Sequence, residues 1–153
     1  MTTFARNTEV SSERSQEQIK WTLRRYGCDG FGVMENANAA TVMFSISAMT
    51  IRIDVPLPDR NDESFVATPT GRRRRNPDMV AAAWEQAVKQ RWRALLLAIK
   101  AKLEAVETGI STLETEFMPF VVCPDGQTIG QHLLPKLREV AASGRMPKLL
   151  EMA

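Results

Sequence analysis

The apolar residues between Pro77 and Glu107 recur at helical spacing, and they constrain the fold more than any other feature of this chain. At 100° per residue, Trp84, Val88, Trp92, Leu95, Ile99, Leu103 and Val106 fall within about 100° of arc, one core-facing stripe over about six turns. The segment predicts a long helix. Asn76 can accept from the free amides at its start, Pro77 suits the first helical position, and Asp78 suits the positive end of the dipole, with Thr108-Gly109 as the stop. Lys89, Arg93 and Lys100 share another side within about 40° of one another, so three cations form an exposed row. Leu96 and Leu97 lie outside the stripe. A second apolar surface there asks for cover, either from the C-terminal segment or from another copy of the chain, so a homo-oligomer through Leu96 and Leu97 is one expectation.

A helix this long needs a surface to pack on, and the preceding residues supply one. From Gly30 to Val55 the apolar period falls to two: Phe31 and Val33, then Val42, Phe44 and Ile46, then Ile51, Ile53 and Val55. This pattern predicts three antiparallel strands, linked through Asn36-Ala-Asn38 and near Ser47 to Met49, and ended by Pro56 and Pro58. Before them, Ser15 with Gln18 reads as a capping box, and Ile19, Leu23 and Tyr26 put one stripe on a short helix closed by Gly27. Residues 1–14 are polar and read as a loose arm. Residues 56–77 read as a long charged surface loop, a kind of segment uncommon in compact domains unless functional or disordered. After Gly109, Ser111 with Glu114 can cap a short helix ending near Met118. Phe120 to Cys123 reads as a short strand entering the Pro124-Asp125-Gly126 turn. Thr128 with Gln131 caps a last helix to about Ala142, broken, kinked or restarted at Pro135. The expected architecture is one α+β domain over 1–153: a short helix, a three-stranded antiparallel sheet, a long basic-faced helix and a helical C-terminal segment.

Composition narrows the function classes. With 153 residues, 44% apolar and 25% charged, the chain can bury a core without metal or disulfide support. Two cysteines, Cys28 and Cys123, and one histidine, His132, cannot assemble a Cys/His zinc quartet, and no cofactor or metal is expected. Phosphate-binding and dinucleotide glycine motifs are absent, so an enzyme is disfavoured. Cys123 could serve as a nucleophile only if the fold brought it to His132. The pairs Glu114/Glu116 and Glu104/Glu107 read as solvated helix faces. No apolar run of about 18 residues exists, and the start of the chain has no signal-peptide pattern; a cytoplasmic protein that does not enter membranes is expected.

Net charge is only +2, but its distribution is uneven. Arg72, Arg73, Arg74 and Arg75 are consecutive, and they precede the basic helix. Guanidiniums pair bidentately with phosphate oxygens and a helix start adds free amides, so this cluster points to nucleic acid, with Lys89, Arg93 and Lys100 extending the path. Trp84 and Trp92 lie on the core stripe and read as packing. Trp21 lies off its stripe beside Lys20 and Arg24, so Trp21, Arg24 and Arg25 are a second candidate contact, with stacking on a base or packing beneath the arm both open. The expected function is a non-enzymatic, largely sequence-independent nucleic-acid-binding protein, DNA more than RNA. The competing readings are a solvated loop balanced by Asp59, Asp62 and Glu63, and a protein-interaction module that uses the charged loop and Leu96/Leu97 to grip a host or phage protein.

The element order over residues 15–107 resembles that of double-stranded-RNA-binding domains and of phage annealing proteins, although the loop Glu35-Asn-Ala-Asn-Ala and the length of 56–77 depart from the former. No residue roles carry over from either. The stretches ERSQEQIKWTLRRYGCDGFGV, PLPD, the arginine loop, WEQAVKQRWRALLLAIKAKLEAVETGI and GRMPKLL resemble a group of small proteins encoded by bacteriophages and integrated mobile elements. That resemblance implies a setting, namely phage replication, recombination or counter-defence in a bacterial cytoplasm, and no particular activity.

Overall fold

Alternation of side chains along three successive segments builds the sheet. In the computed structural model, which describes residues 5–68, 70 and 74–145, β1 (Gly30–Glu35), β2 (Ala39–Ile46) and β3 (Met49–Pro56) pair antiparallel in the order β1-β2-β3. The period of two puts Ala40, Val42, Phe44 and Ile46 on the same face as Ile51, Ile53 and Val55, all of them buried. The register pairs Phe44 with Ile51 and Val42 with Ile53, and Phe31 and Val33 extend both rows onto β1. On the outward face, Thr41 donates to its cross-strand partner Asp54 at 3.0 Å. The β2–β3 link is a two-residue turn, Ser47 and Ala48, with both φ angles positive at 49° and 63°. Hairpin turns that match the strand twist need this geometry, and here non-glycine residues adopt it.

Helices α1 (Ser12–Arg25) and α3 (Pro77–Glu107) cover the apolar face. Ile19 and Leu23 of α1 join Val88, Trp92, Leu96, Ile99 and Leu103 of α3 in one core with the strands, each large side chain worth about 1.5–3 kcal/mol of burial. Phe117, at the end of α4 (Leu113–Phe117), meets Phe44 edge-on at 5.8 Å. A 3₁₀ turn (Met118–Phe120) then leads the chain to the free edge of β3, where the Val122 amide donates to Thr50 O at 2.8 Å, and on to α5 (Ile129–Ser143). The α+β order expected from the sequence is the order found.

Several local expectations change, each for a packing reason. The first helix starts at Ser12, capped by Ser11, which accepts from the Arg14 amide at 3.2 Å. Ser15 is fully buried instead of capping, because it lies one turn before Ile19 on the same face. Residues expected to trail as a loose arm are held as well: Ala5 is buried, and the Gln86 side chain donates to Thr8 O at 2.9 Å. Leu96 is core rather than off-stripe, since α1 packs on that flank of α3; Trp84, Leu95 and Val106 are only half-buried, and Leu97 stays 37% exposed. A patch of Leu96 with Leu97 therefore does not exist. The loop 56–77 contains a one-turn helix, α2 (Glu63–Val66), and a bridge pairing Ala67 with Arg74. Thr112 rather than Ser111 caps α4, accepting from the Thr115 amide at 3.2 Å. The expected strand at 120–123 reduces to single bridges of Val121 with Ile51 and Val122 with Thr128. The last helix runs through Pro135 without ending there.

Candidate nucleic-acid interface

The contacts between α1 and α3 fix the geometry of the basic face. Glu13 and Gln16 line a cleft with Lys89, Arg93 Nη1 donates to Gln18 Oε1 at 3.0 Å, and the Tyr26 hydroxyl bonds to Glu107, which raises its pKa. Positions advance together along both helices, so α1 and α3 run parallel. Lys100 consequently stands at the level of Trp21 and Arg25. The row expected along α3 is thus, at Lys89 and Arg93, a seam against α1.

Trp21 is 57% exposed, and Arg24 holds its guanidinium 5.6 Å from the indole centroid. Arg24 and Arg25 occupy the last turn of α1, where they also complement the negative end of the helix dipole. Arg93 is half-buried through its bond to Gln18, and Lys100 is exposed. Trp21 and Arg24 form one aromatic and basic contact, and Arg93 meets α1 through Gln18. Lys89 differs: its cleft of about 380 Å³ is also lined by Glu13, Glu35 and Glu85, whose carboxylates oppose its charge.

The arginine loop is less open than its sequence implies. Arg72 and Arg73 lie outside the described residues. Arg74 is exposed, whereas the Arg75 amide donates to Val66 O at 2.8 Å and its guanidinium turns back to Phe65 O at 3.5 Å. The start of α3 is already occupied by its own groups: Asn76 Oδ1 accepts from the Met79 amide at 2.8 Å, and Asp78 sits in the first turn. A phosphate there would compete with both. From Pro77 the helix rises about 24 Å to Arg93 and about 35 Å to Lys100, so the start of α3 and these two cations lie far apart along its axis.

The other tryptophans pack, as their stripe positions require. Trp92 is fully buried, and Trp84 donates from Nε1 to Pro58 O at 2.7 Å while Arg60 stacks 4.1 Å above its ring. Arg60 carries no motif in sequence; only the fold of 56–62 across α3 brings it there. The structure also brings Cys123 to His132, the condition that the sequence set for Cys123, and adds Asp125, which the sequence showed only as part of a turn. No protein-family model, curated protein or solved structure matches this chain.

Proposed function

We propose that this protein binds nucleic acid without catalysing a reaction on it, by backbone contact largely independent of sequence. The observation that carries the reading is Trp21: a large aromatic ring, more than half exposed, under the guanidinium of Arg24, with Arg25 beside it in the last turn of α1. An exposed indole among cations suits stacking on an unpaired base while the cations take the flanking phosphates, so single-stranded DNA is the favoured ligand. The arginine cluster 72–75 read from the sequence is a second phosphate contact in this reading, with Arg74 its exposed member among the described residues. The cellular setting proposed is phage replication or recombination in a bacterial cytoplasm.

Fluorescence anisotropy with labelled single-stranded DNA, duplex DNA and duplex RNA, across about 50–200 mM salt, tests this. Log affinity should fall steeply with log salt, and Trp21→Ala should weaken single-strand binding by about tenfold or more. Converting Arg72–Arg75 to alanine should flatten the salt slope. Salt-independent or absent binding refutes the assignment.

A second reading rests on α5. Leu134 and Leu137, one turn apart, are 50% and 53% exposed, an apolar strip suited to a protein partner such as a host defence complex. Leu97 no longer has Leu96 beside it at the surface to support self-association.

A further inference from the structure

The turn between the 3₁₀ segment and α5 gathers three groups of different chemistry. Cys123 Sγ, a carboxylate oxygen of Asp125 and a ring nitrogen of His132 all lie within 4.8 Å of one another, and His132 Nε2 is 2.8 Å from Asp125 Oδ2. Among the described residues no other three such side chains converge in this way. We propose that Cys123, Asp125 and His132 form a binding site for a borderline-soft divalent transition metal of the zinc class, with a fourth position left to water.

The alternative for a Cys, His and Asp grouping is a nucleophile relay, and the geometry excludes it. A relay places sulfur and carboxylate on opposite nitrogens of the imidazole, which separates them by roughly 7 Å. Here they stand on the same side, within 4.8 Å. Three ligand atoms around a common point are what a tetrahedral ion needs, with edges of roughly 3.3 Å for zinc bound to nitrogen and oxygen. The His132–Asp125 contact need open only slightly. Thiolate and imidazole favour zinc, cobalt or copper over magnesium and calcium, which require an oxygen cage.

The backbone and neighbouring side chains hold these ligands in place. The Cys123 amide donates to Gln127 O at 2.7 Å and its carbonyl accepts from the Gly126 amide at 2.9 Å, closing a turn in which Gly126 takes φ +82°. Asp125 Oδ1 accepts from the Gln127 amide at 3.0 Å, which leaves Oδ2 directed to His132. His132 lies on the first turn of α5, where Thr128 and Gln131 close a capping box. Arg52 then clamps turn and helix together, donating to Gly126 O at 2.7 Å and to Gln131 Oε1 at 2.9 Å. Bonds of this kind to the groups behind the ligands are what orient a metal site before the ion arrives. Asp125 and His132 are about half exposed, so an ion can enter from solvent.

The sequence argument against zinc counted only cysteine and histidine, and it stands for a closed structural quartet. A three-ligand site completed by a carboxylate lies outside that count. It does not depend on nucleic-acid binding.

The test is titration of the full-length, chelator-stripped protein with cobalt(II). A thiolate-to-cobalt charge-transfer band should saturate at one equivalent per chain and be displaced by zinc. Cys123→Ser should abolish the band, His132→Ala and Asp125→Ala should each weaken cobalt at least tenfold, and Cys28→Ser should leave it unchanged. In the wild-type protein, which needs no variant to fold, one equivalent of zinc should slow alkylation of Cys123 at least tenfold, and magnesium should not. Absence of the band, its survival in Cys123→Ser, or unprotected Cys123 under stoichiometric zinc overturns the site.

Discussion

Two serines four residues apart show how burial reverses the meaning of a side chain. Ser11 caps α1 from the surface, while Ser15, with the stronger motif around it, is fully buried and its hydroxyl meets no partner among the described residues. Ser11→Ala is expected to cost about 1 kcal/mol in urea denaturation, the usual loss of a cap. Ser15→Ala should be neutral or stabilising by up to about 1 kcal/mol, because it removes an unpaired buried polar group. The opposite ranking would mean that the helix starts at Ser15 after all. Trp21 was half legible at this scale: its position off the stripe left exposure and packing beneath the arm both open, and the structure exposes it. The fate of Arg75 was not, since a guanidinium returning to a carbonyl ten residues earlier leaves no periodic trace.

At the scale of elements, the docking of α5 depends on one glycine. A Cβ at Gly130 would lie 2.6 Å from the Pro119 carbonyl oxygen, so the helix start sits directly on the 3₁₀ turn. Alanine is the better helix former by about 1 kcal/mol. The backbone clash should outweigh that gain, making Gly130→Ala destabilising by roughly 1–3 kcal/mol, with faster hydrogen exchange across α5. A stabilised variant would show that α5 docks more loosely. Elements with a strong period, the three strands and α3, were readable because each buries a regular face. The bridges at Val121 and Val122 and the helix α2 were not, because they are held by single contacts to distant segments.

At the scale of the whole molecule, three carboxylates among the described residues tie loops to helices and share one pH response. Asp62 is lowered in pKa by the hydroxyl and amide of Ser64, Glu116 by the Ser111 hydroxyl and then Lys102, and Asp125 chiefly by the Gln127 amide and then His132. A carboxylate with its folded pKa depressed contributes stability above its unfolded pKa and loses it as pH falls through the folded value. Stability should therefore be flat near neutrality and decline below about pH 4, the ordinary carboxylate range. Glu116→Gln should unfold at lower denaturant than wild type at pH 7 and approach it in acid; an equal gap at both pH values would locate the effect in packing instead.

The sequence by itself determined the α+β class, the strands and the long helix with its Asn76-Pro77 start, because all of these follow from short-range periodicity and capping. Tertiary structure alone decided that α1 runs parallel to α3 and covers Leu96, that Lys89 stands among carboxylates, and that Arg52 draws Cys123, Asp125 and His132 into one turn. Each of these results from which faces meet, and contacts between residues tens of positions apart carry no spacing that a linear pattern can register.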